Sequence, residues 1–248
     1  MSLRVGTVVQ ARLGSTRLPR KVLLEIGDRP MLEHVLRRAA LARSNALTVL
    51  ATTVHPSDDV LAELGSRLGV AIVRGPEEDV LERYRLAVDR YGLDVVVRVT
   101  ADCPLIDPAL IDRAVKLMIA DGSADYVSNT IERTFPRGYD VEAVRASALL
   151  AAAAEAQRPF EREHVTPFVW RQPWRFRVVQ FHNARNLSSY RLTVDEADDL
   201  ALVRLVWERL APVAGEAFGL DAVAELLDRE PSLTKLNAGV KQKTLFDR

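Results

Sequence analysis

Over the first 122 residues, short apolar runs alternate with segments of helical period. "RVGTVVQA" at 4–11 reads as a buried strand. In "PMLEHVLRRAALA", apolar residues fall at 31, 32, 35, 36 and 39, the spacing of one helical face, with Pro30 suited to a first helical position. "ALTVLATT" predicts a second strand. "SDDVLAELGSRLG" then predicts a helix with Ser57 as N-cap and Gly69 just past its end. "VAIVRG" is a third strand and "EDVLERYRLAVDRYG" a helix closing at Gly92. "DVVVRVTA" is nearly all valine, as a strand covered on both faces should be. "DPALIDRAVKLMIADG" is a fourth helix, with Asp107 as its cap. Four such alternations predict an α/β fold with a doubly wound, mostly parallel sheet. Ligands of such sheets sit outside the carboxyl ends of the strands.

After Gly122 the rhythm changes. "ADYVSN" and "GYDVEAV" predict strands about the turn "TFPRG", and "WRFRVVQF" and "YRLTV" two more. "RASALLAAAAEAQ", "FEREHVTPFVWRQ", "EADDLALVRLVWERL" and "GLDAVAELLDRE" predict helices. One domain over 1–248 is expected, with halves 1–122 and 123–230, the second carrying a small β-rich excursion. The tail, 231–248, has little pattern and is expected to be poorly ordered or to contact a partner.

Charge narrows the function. Lys plus Arg and Asp plus Glu are 34 each, so no net field draws in nucleic acid or an anionic membrane, and neither is expected as a partner. One cysteine, Cys103, excludes an internal disulfide and a multi-thiolate metal site, and suits a reducing cytoplasm. Its simplest reading is a small buried hydrophobe. The apolar run Val5–Val9 is too short for a signal peptide, and no window reaches the ~18 apolar residues of a membrane span.

Against this neutral background, "QARLGSTRLPRK" gathers cations where the first strand ends. Arg12, Arg17 and Lys21 supply charge for a triphosphate cradle, while Gly14, Ser15 and the loop amides from Ala11 onward supply donors. Neither the P-loop nor the dinucleotide glycine pattern is present, so side-chain cations must carry more of the binding, and a dehydrogenase is not indicated. The competing reading is a solvated basic loop.

Two carboxylates end strands in the same way. Asp102 follows the fourth strand, and Asp195 ends "YRLTV" before a helix. Each suits Mg²⁺, which commonly takes one or two carboxylates plus phosphate oxygens. Each equally suits a helix N-terminus, where Glu196, Asp198 and Asp199 also favour the dipole. In "FPRGYDVEAV", Asp140 and Glu142 share a strand face. They could bond sugar hydroxyls or pair with Arg137. His164 could contact an acceptor or be structural. His34 reads as solvated, and Trp170, Trp174 and Trp207 as packing or an oligomer surface.

"ARLGSTRLPRK" followed by "PMLEHVL" resembles the opening of the cytidylyltransferase family, which includes the enzymes that activate 3-deoxy-manno-octulosonate and N-acylneuraminate with CTP. "GPEEDVLERYRLA", "VRVTADCPLIDP", "FPRGYDVE", "EREHVTPF" and "RLTVDEADDL" are similar, in kind and order, to its spore coat polysaccharide biosynthesis protein F branch. The likeness spans residues 4 to about 210. It implies a nucleotide-diphospho-sugar transferase-like fold and transfer of CMP from CTP to a sugar or sugar acid, with Mg²⁺ on Asp102 and Asp195. It also implies that Arg74 lies near the base, that the region of Arg137, Asp140, Glu142 and His164 helps bind the sugar, and that a homodimer is allowed. Two other readings stay open: a glycosyltransferase that consumes a nucleotide sugar, and a non-catalytic nucleotide-binding module. The first usually shows a D-x-D pair, where this chain has "TADCP".

Overall fold

The computed structural model describes residues 3–242. In chain order the strands are β1 (Val5–Gln10), the two-residue pair β2 (Glu25–Ile26) and β3 (Arg29–Pro30), β4 (Leu47–Thr53), β5 (Ala71–Gly75), β6 (Val95–Thr100), β7 (Tyr126–Ser128), β8 (Glu142–Arg145) and β9 (Val178–Gln180). Seven of them form one sheet in the order β5-β4-β1-β6-β8-β7-β9. β5, β4, β1 and β6 run parallel. β8 is antiparallel to both β6 and β7, and β9 is parallel to β7. The strands of the β-rich excursion therefore extend the main sheet.

Alternation along the strands explains the two-sided core. In β6, Val95, Val97 and Val99 point to one face and Val96 to the other. The first face is covered by α1 (Met31–Ala40), α2 (Asp59–Arg67), α4 (Pro108–Asp121), α8 (Ala197–Ala214) and α9 (Leu220–Arg229). The second is covered by α3 (Val80–Tyr91), α5 (Ala146–Glu155), α6 (Pro159–His164) and α7 (Pro167–Trp170). Gly92 caps α3 in the left-handed region, and the Asp107 side chain accepts from Ala109 N at the start of α4. From β1 the chain steps outward through β4 and β5, then crosses back to lay β6 on the other side of β1. The carboxyl ends of β1 and β6 thus flank a topological switch point, where such sheets open a crevice.

Several local expectations fail for tertiary reasons. Ser57 lies inside a short 3₁₀ turn whose N-cap is His55. "YRLTV" forms no strand but a single bridge, Arg137 to Arg191. "FEREHVTPFVWRQ" breaks into α6 and α7 at Val165, whose φ of 72° is an outlier for a β-branched residue. His34 is buried, its Nε2 2.7 Å from Ile26 O and its ring edge-on to Trp207, because α8 covers the side of α1 that the periodicity leaves polar. Trp207 is core, whereas Trp174 is exposed. Part of the tail is packed: Leu233 and Asn237 are buried, while residues 243–248 lie outside the described residues.

One glycine decides a close approach. Gly138 has φ +101°, and a Cβ there would stand 2.5 Å from the Leu192 carbonyl carbon. Only glycine lets 136–139 lie against 190–193, which seats Arg137 beside the segment leading to Asp195.

Candidate active site

A cleft of about 1330 Å³ opens at the carboxyl edge of β1 and β6. The loop after β1 supplies Ala11, Arg12, Gly14, Ser15, Arg17 and Lys21. The end of β6 supplies Thr100, Asp102 and Cys103, and the segment before α8 supplies Thr193 and Asp195. Arg137, Asp140, Glu142 and His164 also line it.

Lys21 is the hub. Its Nζ donates to Asp102 Oδ2 at 2.9 Å, Asp195 Oδ1 at 2.9 Å and Val194 O at 2.8 Å. All three ammonium protons are thus directed, and residues 21, 102 and 195 meet at one point. Burial favours the uncharged amine, yet the two carboxylates raise the Lys21 pKa above its ordinary value. Burial also opposes charge on Asp102, but Lys21 and the Thr100 hydroxyl outweigh it and hold the carboxyl at about 2. For Asp195 burial raises the pKa, as does Asp102, while Lys21 and Arg191 lower it, and the net direction is down. Both carboxylates are therefore ionised at neutral pH.

The acid limit follows from these signs. A carboxyl held below its ordinary 3.8 stabilises the fold above that pH and loses the contribution as pH falls toward about 2. The melting temperature should therefore drop between about pH 4 and pH 2, with a shallower slope in Lys21→Met, where the attraction is gone. Calorimetry across that range tests it. An identical slope would show that Lys21 does not stabilise these anions.

The other cations are also held. Arg17 Nη2 lies 2.8 Å from Asp195 Oδ1, while its Nη1 is buried without a hydrogen bond. Arg12 Nη1 meets Glu77 Oε1 at 2.9 Å. Asp58 pins the loop, its Oδ1 accepting from Leu13 N at 2.8 Å. Arg74 does not line the cleft. It clamps Thr53 O and His55 O and pairs with Asp59, so the structure moves it away from the expected base contact. In its motif, Glu78 reaches the cleft instead.

The residues expected at the sugar also differ from expectation. Asp140 pairs with Arg133, not with Arg137. Glu142 is buried, and both its oxygens are engaged: Oε1 accepts from Tyr126 and Thr166, each at 2.5 Å, and Oε2 pairs with Arg98. It is an anchor under the cleft rather than a free sugar ligand. Arg137 is half-buried and makes no ion pair among the described residues. Burial lowers its pKa, as do the neighbouring charges of Arg133 and Arg191.

Sequence reasoning missed Gln10, Arg98, Arg133, Thr166 and Arg191. Gln10 Oε1 accepts from Arg98 Nε at 3.1 Å and from the Tyr84 hydroxyl at 3.2 Å, tying β1 to β6 beneath the cleft. A polar residue at the cleft end of an otherwise apolar strand is the signal that could have found Gln10, whereas Arg98, within β6, shows itself only through its partner Glu142.

Chemically, the cleft offers hard carboxylate oxygens from two separate chain segments beside a cluster of cations. Asp102 and Asp195 are the residues that could hold a divalent metal. Cys103 is buried and its thiol is pushed well up by burial, so it supplies no thiolate. Among the described residues, no helix is long and apolar enough to cross a membrane.

Residues 7–203 match the family described as Cytidylyltransferase. An uncharacterized protein of Methanocaldococcus jannaschii, MJ1063, is 33% identical over 98% of this chain and 98% of its own. Spore coat polysaccharide biosynthesis protein SpsF of Bacillus subtilis is 32% identical over 90% of this chain and 94% of its own. The solved structure of a cytidylyltransferase from Leptospira borgpetersenii is similar with a TM-score of 0.89, at 32% identity, covering 98% of this chain and 100% of that one. A family match across most of the chain, two full-length relatives and a shared architecture agree with a cleft built from cations and paired carboxylates, and the chain belongs to the cytidylyltransferase family of nucleotidyltransferases.

Proposed function

We propose that the protein transfers CMP from CTP to a hydroxyl of a sugar or sugar acid, releasing pyrophosphate, in the synthesis of a surface polysaccharide or glycan. One observation carries the reading: three cations of a single loop and two carboxylates from distant segments line one cleft, and the Lys21 ammonium touches both carboxylates. The likeness to SpsF supports a polysaccharide product.

In this reading the triphosphate lies along the first loop. It replaces Glu77 at Arg12 and meets Nη1 of Arg17, which makes no hydrogen bond and lies 3.8 Å from Glu196 Oε1, while Lys21 keeps its place between the carboxylates. Asp102 and Asp195 would hold Mg²⁺, for which hard, ionised oxygens at a phosphate site are a chemical fit. Bound there, Mg²⁺ would supply neutralisation of the phosphate charge. The acceptor oxygen forms its bond to the α-phosphorus as the bond to the β-phosphate oxygen breaks. The hydroxyl proton is released, and pyrophosphate leaves against Arg12 and Arg17 while Lys21 holds the two carboxylates in place. Catalysis is positioning and electrostatic stabilisation. Arg137 makes no ion pair among the described residues and lies near Arg133, Asp140 and Arg191, with Asp140 already paired to Arg133. That favours an acceptor bearing a carboxylate or phosphate.

The deciding experiment incubates the protein with each NTP, Mg²⁺ and a panel of sugar acids and sugar phosphates, and measures pyrophosphate. Release from CTP with one acceptor is the expected result. No release from any NTP, with nucleotide set free from a nucleotide sugar instead, would make it a glycosyltransferase. NTP-dependent thermal stabilisation without any turnover would make it a binding module.

Two variants bear on the loop. Arg17→Ala should raise the KM for CTP about tenfold and lower kcat about a hundredfold, since the guanidinium meets phosphate in both ground and transition states. Unchanged steady-state kinetics would remove Arg17 from the site. Arg74→Ala should leave both constants within about twofold, because its partners are Thr53, His55 and Asp59. A large rise in KM would return it to the nucleotide.

A further inference from the structure

The C-terminal segment reaches the cleft. Gln242 lines it and pairs through Oε1 with Arg191 Nη1. Arg191 Nη2 in turn donates to Asp195 Oδ2 at 2.7 Å, on the opposite carboxylate oxygen from Lys21 and Arg17. Behind this contact stands Asp199, fully buried. Its Oδ1 accepts from Arg191 Nε at 2.9 Å, and its Oδ2 accepts from Asp195 N at 2.9 Å and Glu196 N at 3.1 Å. Asn237, 5% exposed, closes the network, its Nδ2 donating to Asp199 Oδ1 at 2.8 Å and to Arg191 O at 2.9 Å.

We propose that residues 237–242 form a positioning arm of the active site: Asn237 and Gln242, acting through Asp199 and Arg191, fix the rotamer and backbone of Asp195. The inference rests on the reading of Asp195 as a metal-side carboxylate. Its physical logic is that of an outer layer around a metal ligand. A carboxylate on an open loop has several rotamers, and only those facing the nucleotide are useful. Arg191 occupies Oδ2 and so turns Oδ1 toward Lys21 and Asp102. Asp199 ties down the peptide that carries the side chain. Asp199 is also the residue whose charge most needs company, since a fully buried carboxylate is stable only when paired and hydrogen-bonded. The C-terminal arm supplies the Asn237 donor that completes it.

The test uses the full chain with Asn237→Leu, Gln242→Ala and Gln242→Glu. Mn²⁺ binding is titrated by the paramagnetic resonance of the free ion, with and without CTP. Asn237→Leu should weaken Mn²⁺ binding in the presence of CTP about tenfold, as loss of an outer partner of a metal ligand commonly does. Gln242→Ala should weaken it about threefold, and Gln242→Glu, which keeps the acceptor for Arg191, should restore it. Hydrogen exchange of the Asp195 and Glu196 amides should quicken in Asn237→Leu even without ligand. Wild-type Mn²⁺ affinity in both Asn237→Leu and Gln242→Ala would overturn the proposal, as would equal losses in Gln242→Ala and Gln242→Glu. If Asn237→Leu fails to fold, the Gln242 pair still decides. Pyrophosphate release by the wild type, measured alongside, separates failure of the arm from failure of the enzymatic reading: a wild type that binds Mn²⁺ through the arm but never turns over CTP overturns only the latter.

Discussion

Asp102→Asn is expected to lower the rate of pyrophosphate release from CTP, in the proposed reaction, by about three orders of magnitude, an effect of the size seen when one preorganised electrostatic group at a reacting phosphate or acyl centre is removed. The expectation rests on charge, since shape is conserved. Asn keeps an oxygen that can accept from Lys21, so the loop should hold its place, and the variant should melt within a few degrees of the wild type. What disappears is an anion that the surroundings keep ionised down to about pH 2 against the opposing pull of burial. The Lys21 ammonium, shared between two carboxylates in the wild type, is left with Asp195 alone. Turnover measured against Mg²⁺ concentration checks it. Turnover within tenfold of the wild type, with the same Mg²⁺ dependence, would show that Asp102 serves only as the end of a strand, and the cleft would need another anion.

The first four strand–helix units were legible because each is local. Val-rich runs bounded by polar turns, helical spacing in α1 and α3, and glycines at 69 and 92 declare themselves within a dozen residues. Arg12, Arg17, Lys21 and Asp102 were legible for a related reason: they lie in the segments that follow β1 and β6, and a doubly wound sheet gathers strand ends at one edge. Asp195 was reached through an expected strand that does not form. The less legible features depend on distant partners. Arg98 sits mid-strand and finds Glu142 only because β8 lies antiparallel beside β6, 44 residues on. His34 reads as polar until α8 lands on it. Arg74 ends a strand as Asp102 nearly does, but β5 is the sheet edge, away from the switch point, so the same pattern yields a surface clamp. "YRLTV" has the composition of a strand, yet its backbone is spent on Arg137 and on Asp102 O, which accepts from Val194 N at 2.9 Å.

Glu142 carries the largest expected effect on stability. Glu142→Gln should destabilise the fold by about 3–5 kcal/mol, the usual consequence of removing one member of a buried charge pair. Arg98 is held above its ordinary pKa by that carboxylate, against burial that would lower it, so its guanidinium stays charged when the partner is neutral. The amide cannot reproduce the rest of the site either. With the amide oxygen kept on Tyr126 and Thr166, the –NH₂ donor faces the Arg98 guanidinium, and with the amide flipped those two hydroxyls face a donor. The melting temperature should fall by about 10 °C for a chain of this size. The double variant Arg98→Met/Glu142→Gln should regain part of the loss, because the uncompensated charge is gone. The comparison also separates two roles for this carboxylate. An anchor affects the part of the cleft proposed for the acceptor through Thr166 and the short α6–α7 break at Val165, so the acceptor KM and the stability should shift together. A residue that bonds the sugar directly would raise the acceptor KM with denaturation midpoints unchanged. Denaturant titration of the wild type and the two variants beside acceptor kinetics distinguishes the outcomes, and an unchanged midpoint in Glu142→Gln would contradict the burial and pairing that define the floor of this cleft.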